Sequence, residues 1–394
     1  MVLRHRIVAA PLAAVVTLFL WLTPEWVTPA SKPPRDILNS TLGFQHIFAI
    51  NLPWRTDRRD ALALAAALSE LDITWVDGVA GIDVLEKVLP GDPSSRKGGF
   101  TSGNKGSWRA HMDVLQRIVY ENVTSALILE DDADWDVRLK TQMQVFAQAS
   151  RAFTQPSDGL SLAEQYRNHP DPELRLAQMP RRTPRARLTP YGDDWDVLWL
   201  GHCGTDFPHT TAPTKPPSLR VTIPNDMTVP RPKHLRPHPF ALQDALSEEY
   251  PPHTRVVHAS AGTTCTQAYA VSQQGARKLL WQFGLQTLTT GWDLMLRDWC
   301  DGLHTPTNAD TAEGGAPNGK RRAPICVTMQ PPLFSHHYGK GAASDIMAPG
   351  GGFVDKDKEM TPYVRVSVRL NMERLVHGQE GTEQWDDEGV HLAA

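Results

Sequence analysis

The stretch SALILEDDADWD, residues 125–136, constrains the fold most, because a run suited to a buried strand leads directly into a cluster of carboxylates. Like charges at this spacing repel one another, so a compensating partner is expected beside them. In open α/β sheets, ligands bind beyond the carboxyl ends of the strands. The stretch therefore predicts a buried strand whose end presents acidic side chains to a ligand.

Apolar segments of strand length and helix length alternate along the chain. Strand patterns occur at HIFAINL, ITWV, SALILE, DVLWLG, TQAYAVS and ICVTM. Apolar residues at helical spacing occur between them, as in TDRRDALALAAALSEL, where Asp57 is the expected N-cap, and in SWRAHMDVLQRIVYEN. This alternation predicts an α/β fold with a largely parallel sheet that helices cover on both faces.

Three segments interrupt the alternation within the domain expected at residues 44–375. They lie near residues 151–190, 205–254 and 308–323, and they are rich in Pro, Gly or polar residues without a sustained apolar period. We expect long loop insertions there, in keeping with the 32 prolines of the chain. Residues 376–394 are expected to form a disordered tail.

The N-terminal residues resemble a targeting signal. Residues 1–6 are basic, residues 7–22 are apolar, and residues 23–43 form a stem with a Pro-rich stretch. The positive charge before the apolar run favours an uncleaved signal anchor of a single-pass type II membrane protein. A cleaved signal peptide is the alternative, because the run is short for a membrane helix. The signal-anchor topology places the rest of the chain in the secretory lumen, that of the Golgi or the endoplasmic reticulum.

The four cysteines are an even number, which suits an oxidising lumen. Their spacing matches no zinc-binding pattern, so disulfides are the favoured use. Three pairings are possible. Chain order favours Cys203 with Cys265 and Cys300 with Cys326.

The acidic cluster after the strand suits a divalent cation. Carboxylate oxygens are the ligands that Mg²⁺ and Mn²⁺ prefer. The net charge of the chain, −4, separately argues against a nucleic-acid partner. A calcium-binding EF-hand loop starting at Asp132 is excluded, because its sixth position is Val137 and its twelfth is Met143. A solvated acidic turn with helix caps is the alternative to a metal site.

Four segments together resemble glycosyltransferase family 25, which includes lipopolysaccharide glycosyltransferases and collagen galactosyltransferases. The segments are FAINLPWRTDRR, LILEDD, TQAYAVSQQGARKLL and PPLFSHH, in that order, and the resemblance spans roughly residues 44–346. It implies a GT-A-like (Rossmann-like) fold, a UDP-sugar donor, Mn²⁺ or Mg²⁺, and inversion at the anomeric carbon. The stretch GSWRAH departs from the family, since it has Ser107 and Ala110 where many members have Cys and Ser.

The resemblance implies a donor site at the ends of the first and third strands. Asn51, Arg55 and Arg58 would meet the nucleotide, with Asp131 beside them. Arginines at the start of a helix are unfavourable with the helix dipole, which favours an anionic partner. A solvated helix start is the alternative.

The metal ion would be held on the same side. Asp132 is the expected principal ligand, helped by Asp131 or Asp134, and His336 or His337 would complete the site. Such an ion would stabilise the charge that grows on a diphosphate leaving group.

An inverting transfer also needs a general base on the side opposite the leaving group. Asp293 is the candidate, because it begins an amphipathic helix after a glycine and beside Trp292. A helix-capping role for Asp293 is the alternative. Trp292 is a candidate for stacking on a sugar, while His111 suits a buried core position as well as a site.

These features predict a metal-dependent inverting glycosyltransferase, anchored in the membrane with a luminal domain. It would move a hexose, galactose by the resemblance, from a UDP-sugar to a hydroxyl of a glycan or protein acceptor. The alternatives are another nucleotide-dependent transferase with the same acidic site, and a catalytically inactive lectin-like luminal protein.

Overall fold

The computed structural model describes residues 36–156, 159–170, 172–179, 186–210, 212, 214–237, 244–305, 323–340, 346 and 358–385. The predicted signal anchor and almost all of the third predicted insertion lie outside these residues. Among the helices that the structure does describe, none has the length and apolar character needed to cross a membrane.

The strands form one eleven-stranded sheet with the order β2-β1-β3-β9-β6-β10-β8-β7-β5, and β11 pairs with both β4 and β6. Every strand predicted from the sequence is present. The strands are β1 His46–Asn51, β2 Thr74–Asp77, β3 Ser125–Glu130, β4 Ala133–Trp135, β5 Glu173–Arg175, β6 Val197–Gly201, β7 Arg220–Ile223, β8 Arg255–Ala259, β9 Ala268–Ser272, β10 Cys326–Gln330 and β11 Phe334–His336.

The sheet is mixed. β1 pairs in parallel with β2 and β3, and β6 pairs in parallel with β10, as an α/β alternation predicts. β9 differs, because it lies antiparallel between β3 and β6. The first residues of β9 therefore lie at the same edge of the sheet as the last residues of β1, β3 and β6. This edge carries the candidate site.

Helices cover both faces of the sheet. Successive strand residues point to opposite faces, so Leu127 and Leu129 enter one buried cluster, whereas Ala126 and Ile128 enter the other. Arg55, not the expected Asp57, is the N-cap residue of the first helix. The described helices are α1 Thr56–Leu68, α2 Ser102–Tyr120, α3 Leu139–Thr154, α4 Leu162–Gln165, α5 Ala245–Glu249, α6 Gln273–Trp281, α7 Trp292–Cys300 and α8 Met372–Val376.

The first two predicted insertions contain regular structure, which differs from the expected loops. Segment 205–254 contributes β7 and α5, and segment 151–190 contributes α4 and β5. β7 pairs with β8, and β5 pairs with β7, so these short strands extend the main sheet. A small buried cluster that includes Phe207, Leu246 and Val256 packs there.

The C-terminal residues also differ from the expected disordered tail as far as residue 385. The backbone N–H of Gln384 donates to the carbonyl of Arg365 over 2.8 Å, and Glu383 forms an ion pair with the Arg365 side chain. Trp385 stacks on His234 with ring centroids 5.0 Å apart. These contacts pack residues 383–385 against the rest of the domain.

Both predicted disulfides are confirmed. Cys203 follows β6 and Cys265 precedes β9, and the antiparallel pairing of these strands brings the two Cα atoms within 5.5 Å. Cys300 ends α7 and Cys326 begins β10, with Cα atoms 5.7 Å apart. The described residues contain no free cysteine.

Candidate functional site

The site begins where β1 and β3 end side by side. Asn51 is the last residue of β1, and its side-chain amide donates to Asp131 Oδ2 over 2.8 Å and to the Arg55 carbonyl over 3.1 Å. Asn51 is almost fully buried. Two of the predicted donor-site residues, Asn51 and Asp131, are therefore in direct contact.

Arg58 links both adjacent carboxylates. Its Nη1 lies 2.9 Å from Asp131 Oδ1 and 3.0 Å from Asp132 Oδ2, and its position in the first turn of α1 directs it to the end of β3. Arg55, also predicted to meet the nucleotide, forms an ion pair with Asp57 at 2.8 Å. The structure thus brings Arg58 onto the acidic motif and turns the Arg55 guanidinium to a neighbour on its own helix.

The two carboxyl groups of the motif differ in their pKa. Burial raises the pKa of Asp131, and the negative charge of Asp132 adds to this effect. Burial also opposes ionisation of Asp132, but His336, Arg58 and Arg369 outweigh it, so the pKa of Asp132 is lowered. Asp132 is therefore the more acidic of the two carboxyl groups.

His336 lies on the strand that covers this motif. β11 pairs with β4, which sets His336 opposite Ala133 and leaves its Nε2 3.8 Å from Asp132 Oδ2. The other oxygen of Asp132, Oδ1, is buried and has no hydrogen-bond partner. The part of the chain that the structure describes holds no group of three or more His, Cys, Asp or Glu residues able to bind a metal. Asp132 and His336 therefore place a carboxylate and an imidazole side by side, which is fewer groups than a metal site made of protein ligands alone would have.

Asp134 does not belong to this pair, which corrects the expectation that it helps to bind a metal. Its side chain is fully buried. Oδ1 accepts from the backbone N–H groups of Trp135 at 2.7 Å and Arg369 at 3.1 Å. Oδ2 accepts from the hydroxyls of Thr361, at 2.6 Å, and Ser367. These four donors saturate the carboxylate, so Asp134 holds structure together.

His337 has a structural environment as well. Its Nδ1 lies 3.1 Å from the Thr361 hydroxyl, and its backbone N–H donates to the Asp132 carbonyl over 2.8 Å. Burial lowers the pKa of His337 to about 4. Of the two adjacent histidines, His336 is therefore the one directed at Asp132.

Residues 360–371, which we call the C-terminal segment, pack against the turn that follows β3. Arg369 Nη2 donates to the Asp131 carbonyl over 2.6 Å, and the Val366 N–H donates to Asp136 Oδ2 over 2.9 Å. Sequence analysis missed Arg369, because no local motif marks it and its partners lie more than two hundred positions earlier. The segment fixes the turn that carries Asp131 and Asp132.

A second acidic group lies on the other face of the sheet edge. Glu130 precedes Asp131 by one residue, so strand alternation turns it toward α2 and α7. Its Oε1 accepts from the Thr266 hydroxyl over 2.6 Å and lies 3.6 Å from His111 Nε2. Sequence analysis gave Glu130 no role, although its place in the same acidic run and the period of a strand could have separated it from its neighbours.

Asp293 lies on this second face, in the first turn of α7. Its Oδ2 accepts from the backbone N–H of Cys265 over 3.0 Å. Burial raises the pKa of Asp293, and the charge of Glu130 adds to this, while hydrogen bonds from the N–H groups of Cys265 and Leu294 oppose it. Asp293 is therefore a buried carboxyl group in the first turn of a helix, held by the backbone N–H of Cys265.

Trp292 is a core residue, so the structure does not support the candidate role of stacking on a sugar. It is 2% exposed. Its ring stacks on His111 with centroids 5.0 Å apart and meets Phe283 edge-on. His111 is likewise buried, and its Nδ1 is 2.8 Å from the Tyr269 hydroxyl. The stacked rings of His111 and Trp292 thus form part of the buried core beside Glu130.

Comparison with known proteins gives these residues a family context. Residues 44–295, more than half of the chain, match "Glycosyltransferase family 25 (LPS biosynthesis protein)". The matched range contains Asn51, Arg58, Asp132 and Asp293, whereas His336 and the C-terminal segment lie beyond it.

Similar curated proteins come from the same family. Probable inactive glycosyltransferase 25 family member 3 from Bos taurus is 26% identical over 40% of this chain and 28% of its own length. Procollagen galactosyltransferase 1 from Danio rerio is 34% identical over 26% of this chain and 18% of its own length. Procollagen galactosyltransferase 2 from Homo sapiens is 30% identical over 26% and 18%. The matched segments thus span less than a third of each relative, and the extent of the family match over this chain shows that it belongs to glycosyltransferase family 25.

Proposed function

We propose that the protein transfers a hexose from a UDP-sugar to a hydroxyl of a glycan or protein acceptor, with inversion and with the help of a divalent cation. The buried, unpartnered Oδ1 of Asp132 beside His336 carries this proposal. It lies at the strand ends, where α/β sheets bind ligands. Galactose is the proposed sugar, because two similar proteins are named procollagen galactosyltransferases.

The donor atoms present fit Mn²⁺ or Mg²⁺ bound together with a diphosphate. A carboxylate and an imidazole are suitable ligands, and ions of this kind often take their remaining ligands from substrate phosphates and water. Asp132 and His336 would hold the ion. When bound, it supplies Lewis-acid stabilisation of the charge on the leaving diphosphate.

Three side chains have the other roles in the proposed reaction. Arg58 lies against both motif carboxylates and supplies positive charge where the diphosphate would bind. Asn51 fixes Asp131 in place. Asp293 takes the proton of the acceptor hydroxyl while that oxygen bonds to the anomeric carbon and the bond from this carbon to the phosphate oxygen breaks. A single displacement with inversion needs the base on the side of the sugar ring opposite the leaving diphosphate, and Asp293 would act from that side.

The proposed setting is the lumen of the Golgi or the endoplasmic reticulum, with residues 7–22 as a type II membrane anchor. Two disulfides between described residues are typical of proteins from oxidising compartments. The membrane would therefore be a partner through the anchor alone.

The test combines binding and turnover. UDP binding is measured by calorimetry with and without Mn²⁺, and turnover as UDP released from UDP-galactose in the presence of a procollagen peptide. We expect Mn²⁺-dependent UDP binding by the wild-type protein and a loss of at least tenfold in affinity in Asp132→Asn. Asp113→Asn, which changes an exposed carboxylate on α2, is the matched control and should behave as wild type.

Three results would contradict the proposal or a part of it. Wild-type protein that binds a sugar but neither binds UDP with Mn²⁺ nor releases it would favour the inactive, lectin-like alternative. Mn²⁺-dependent UDP binding without release from any UDP-hexose would favour a different nucleotide-dependent transfer. Near wild-type affinity in Asp132→Asn would remove Asp132 from the metal site.

A further inference from the structure

Residues 264–267, which we call the tether, connect the half-buried disulfide to both acidic groups of the second face. The backbone N–H of Cys265 donates to Asp293 Oδ2 over 3.0 Å. The next residue, Thr266, donates its hydroxyl to Glu130 over 2.6 Å. The carbonyl of Gln267 accepts from the Glu130 N–H over 3.0 Å. Three consecutive residues, 265–267, thus hold two acidic residues that come from different elements.

The backbone of the tether is not in a relaxed conformation. Cys265 has a φ of 64°, in the left-handed region that residues with a Cβ rarely adopt. Three bonds hold it there. The disulfide joins it to Cys203, the Cys203 N–H donates to the Thr264 carbonyl over 2.9 Å, and the Trp199 indole donates to the Cys265 carbonyl over 2.8 Å. The covalent bond is the strongest of these restraints on the N–H that faces Asp293.

We propose that the Cys203–Cys265 disulfide is a positioning element for the transfer reaction, which holds the Cys265 N–H against Asp293 and the Thr266 hydroxyl against Glu130. This inference rests on the proposed function, in which Asp293 is the general base. The disulfide takes no part in bond making. It fixes the direction of a carboxylate whose productive geometry tolerates little displacement.

The second disulfide provides an internal comparison. Cys300 and Cys326 are buried in the core between α7 and β10, whereas Cys203 and Cys265 are half-buried at the edge of the site. Both disulfides lie within the domain that contains the sheet. Only the first has a cysteine whose N–H contacts a candidate catalytic carboxylate among the described residues.

The effect on Asp293 has a defined sign. A hydrogen bond to the ionised form lowers a carboxyl pKa, so removing the Cys265 N–H from Asp293 raises it further. Glu130 faces Asp293 from β3 and also raises the pKa, while Arg297 on its own helix lowers it. Neither residue is changed in the experiment below, so the shift reports on the tether.

The experiment compares three forms of the full chain: wild type, Cys203→Ser with Cys265→Ser, and Cys300→Ser with Cys326→Ser. For the first pair we expect kcat to fall about tenfold or more, with KM for UDP-galactose and Mn²⁺-dependent UDP affinity within twofold of wild type. When kcat is measured against pH, its decline on the acid side of the profile (the acid limb) should occur at higher pH than in the wild type. The second pair should lower thermal stability and leave the acid limb in place.

Two further measurements keep the inference falsifiable. If the Cys203→Ser, Cys265→Ser variant does not fold, wild-type protein treated with dithiothreitol replaces it, with alkylation and mass spectrometry showing that the half-buried Cys203–Cys265 disulfide is the one cleaved. In that step dithiothreitol is oxidised to its cyclic disulfide, and the protein disulfide becomes two thiols. The carboxyl ¹³C signal of Asp293, identified by its absence in Asp293→Asn, reports its pKa without an activity assay.

The outcomes are distinct. A folded Cys203→Ser, Cys265→Ser protein with unchanged kcat, unchanged acid limb and unchanged Asp293 titration overturns the inference. A shifted Asp293 titration in a protein whose wild type releases no UDP leaves the tether in place and overturns the proposed function. Normal kcat in Asp293→Asn would remove Asp293 as base, and the positioning role would fall with it.

Discussion

Asp293 is the single residue on which the proposed chemistry depends most. It must be ionised to accept a proton, and burial raises its pKa, so activity should increase as the pH rises through that value. We predict that Asp293→Asn lowers kcat by about 10²-fold, the typical size of a general-base effect. The amide oxygen still accepts from the Cys265 N–H, so folding and donor affinity should remain near wild type. Steady-state kinetics and UDP calorimetry check both parts.

Asp298→Asn is the matched control for that prediction. Asp298 lies on the same helix, where its carboxylate accepts from the Arg297 side chain over 3.1 Å and lies 3.7 Å from Lys97 Nζ. It has no contact with Cys265 or Glu130 among the described residues. If kcat of Asp293→Asn stays within a few-fold of Asp298→Asn, Asp293 is a helix cap and the base is another group.

Sequence reasoning located the residues whose partners lie on the same or adjacent strands. Asp131, Asp132 and Asn51 follow from the rule that parallel strand ends meet at one edge, and the structure brings them together. Asp134 could not be separated from Asp132 in the same way. The donors that saturate it come from residues 361–369, and no local pattern predicts a contact over such a distance.

The C-terminal segment is the element that makes Asp134 structural. We predict that Asp134→Ala lowers the free energy of unfolding by about 3 kcal/mol or more, since it leaves several buried donors without an acceptor. Asp132→Ala should change it by about 1 kcal/mol or less, because Arg58 keeps its contact with Asp131. Urea denaturation measures both. Equal stability of the two variants would show that the segment does not depend on Asp134.

The short strands β5 and β7, at the end of the sheet opposite β2, show why the regular structure of the insertions was not predicted. β7 has four residues and β5 has three, too few to display a period. Their stability comes from pairing with β8, which is a long-range property. The two disulfides, in contrast, were predictable, because each links segments that chain order already placed beside core strands.

At the scale of the whole molecule, two buried histidines on either side of β10 couple folding to pH. The His202 ring donates to the Met329 carbonyl, and the His258 ring accepts from the Gln330 amide. Burial lowers the pKa of His202 from 6.5 to about 4 and that of His258 from 6.5 to about 3. A lowered pKa in the folded state means that the unfolded chain binds these protons first. Stability is therefore present above about pH 6.5 and is lost as the pH falls below it.

The opposing contribution is smaller. Burial raises the pKa of Asp244 from 3.8 to about 6, so this carboxyl stabilises the folded state as the pH falls. Near pH 4.5 it contributes about 2 kcal/mol, at about 1.4 kcal/mol for each pKa unit. Each histidine contributes about 2–3 kcal/mol in the other direction by the same rule. The histidines outweigh Asp244, and the net effect of these three groups is a loss of stability in acid.

We therefore predict that replacing both histidines weakens the acid sensitivity of the fold. The Gln amide can replace His202 Nε2 as donor to the Met329 carbonyl, and the Asn amide can replace His258 Nδ1 as donor to the Ala259 carbonyl. The substitutions His202→Gln and His258→Asn thus keep one donor at each site and remove both titrating groups. Because the slope of stability against pH counts the extra protons bound by the unfolded chain, it should fall by up to two protons between about pH 6.5 and 4.5. Urea denaturation at several pH values gives this slope separately from any constant loss of stability. The surface variant His377→Gln should keep the wild-type slope, and an equal slope in the double variant would mean that neither buried imidazole resists protonation.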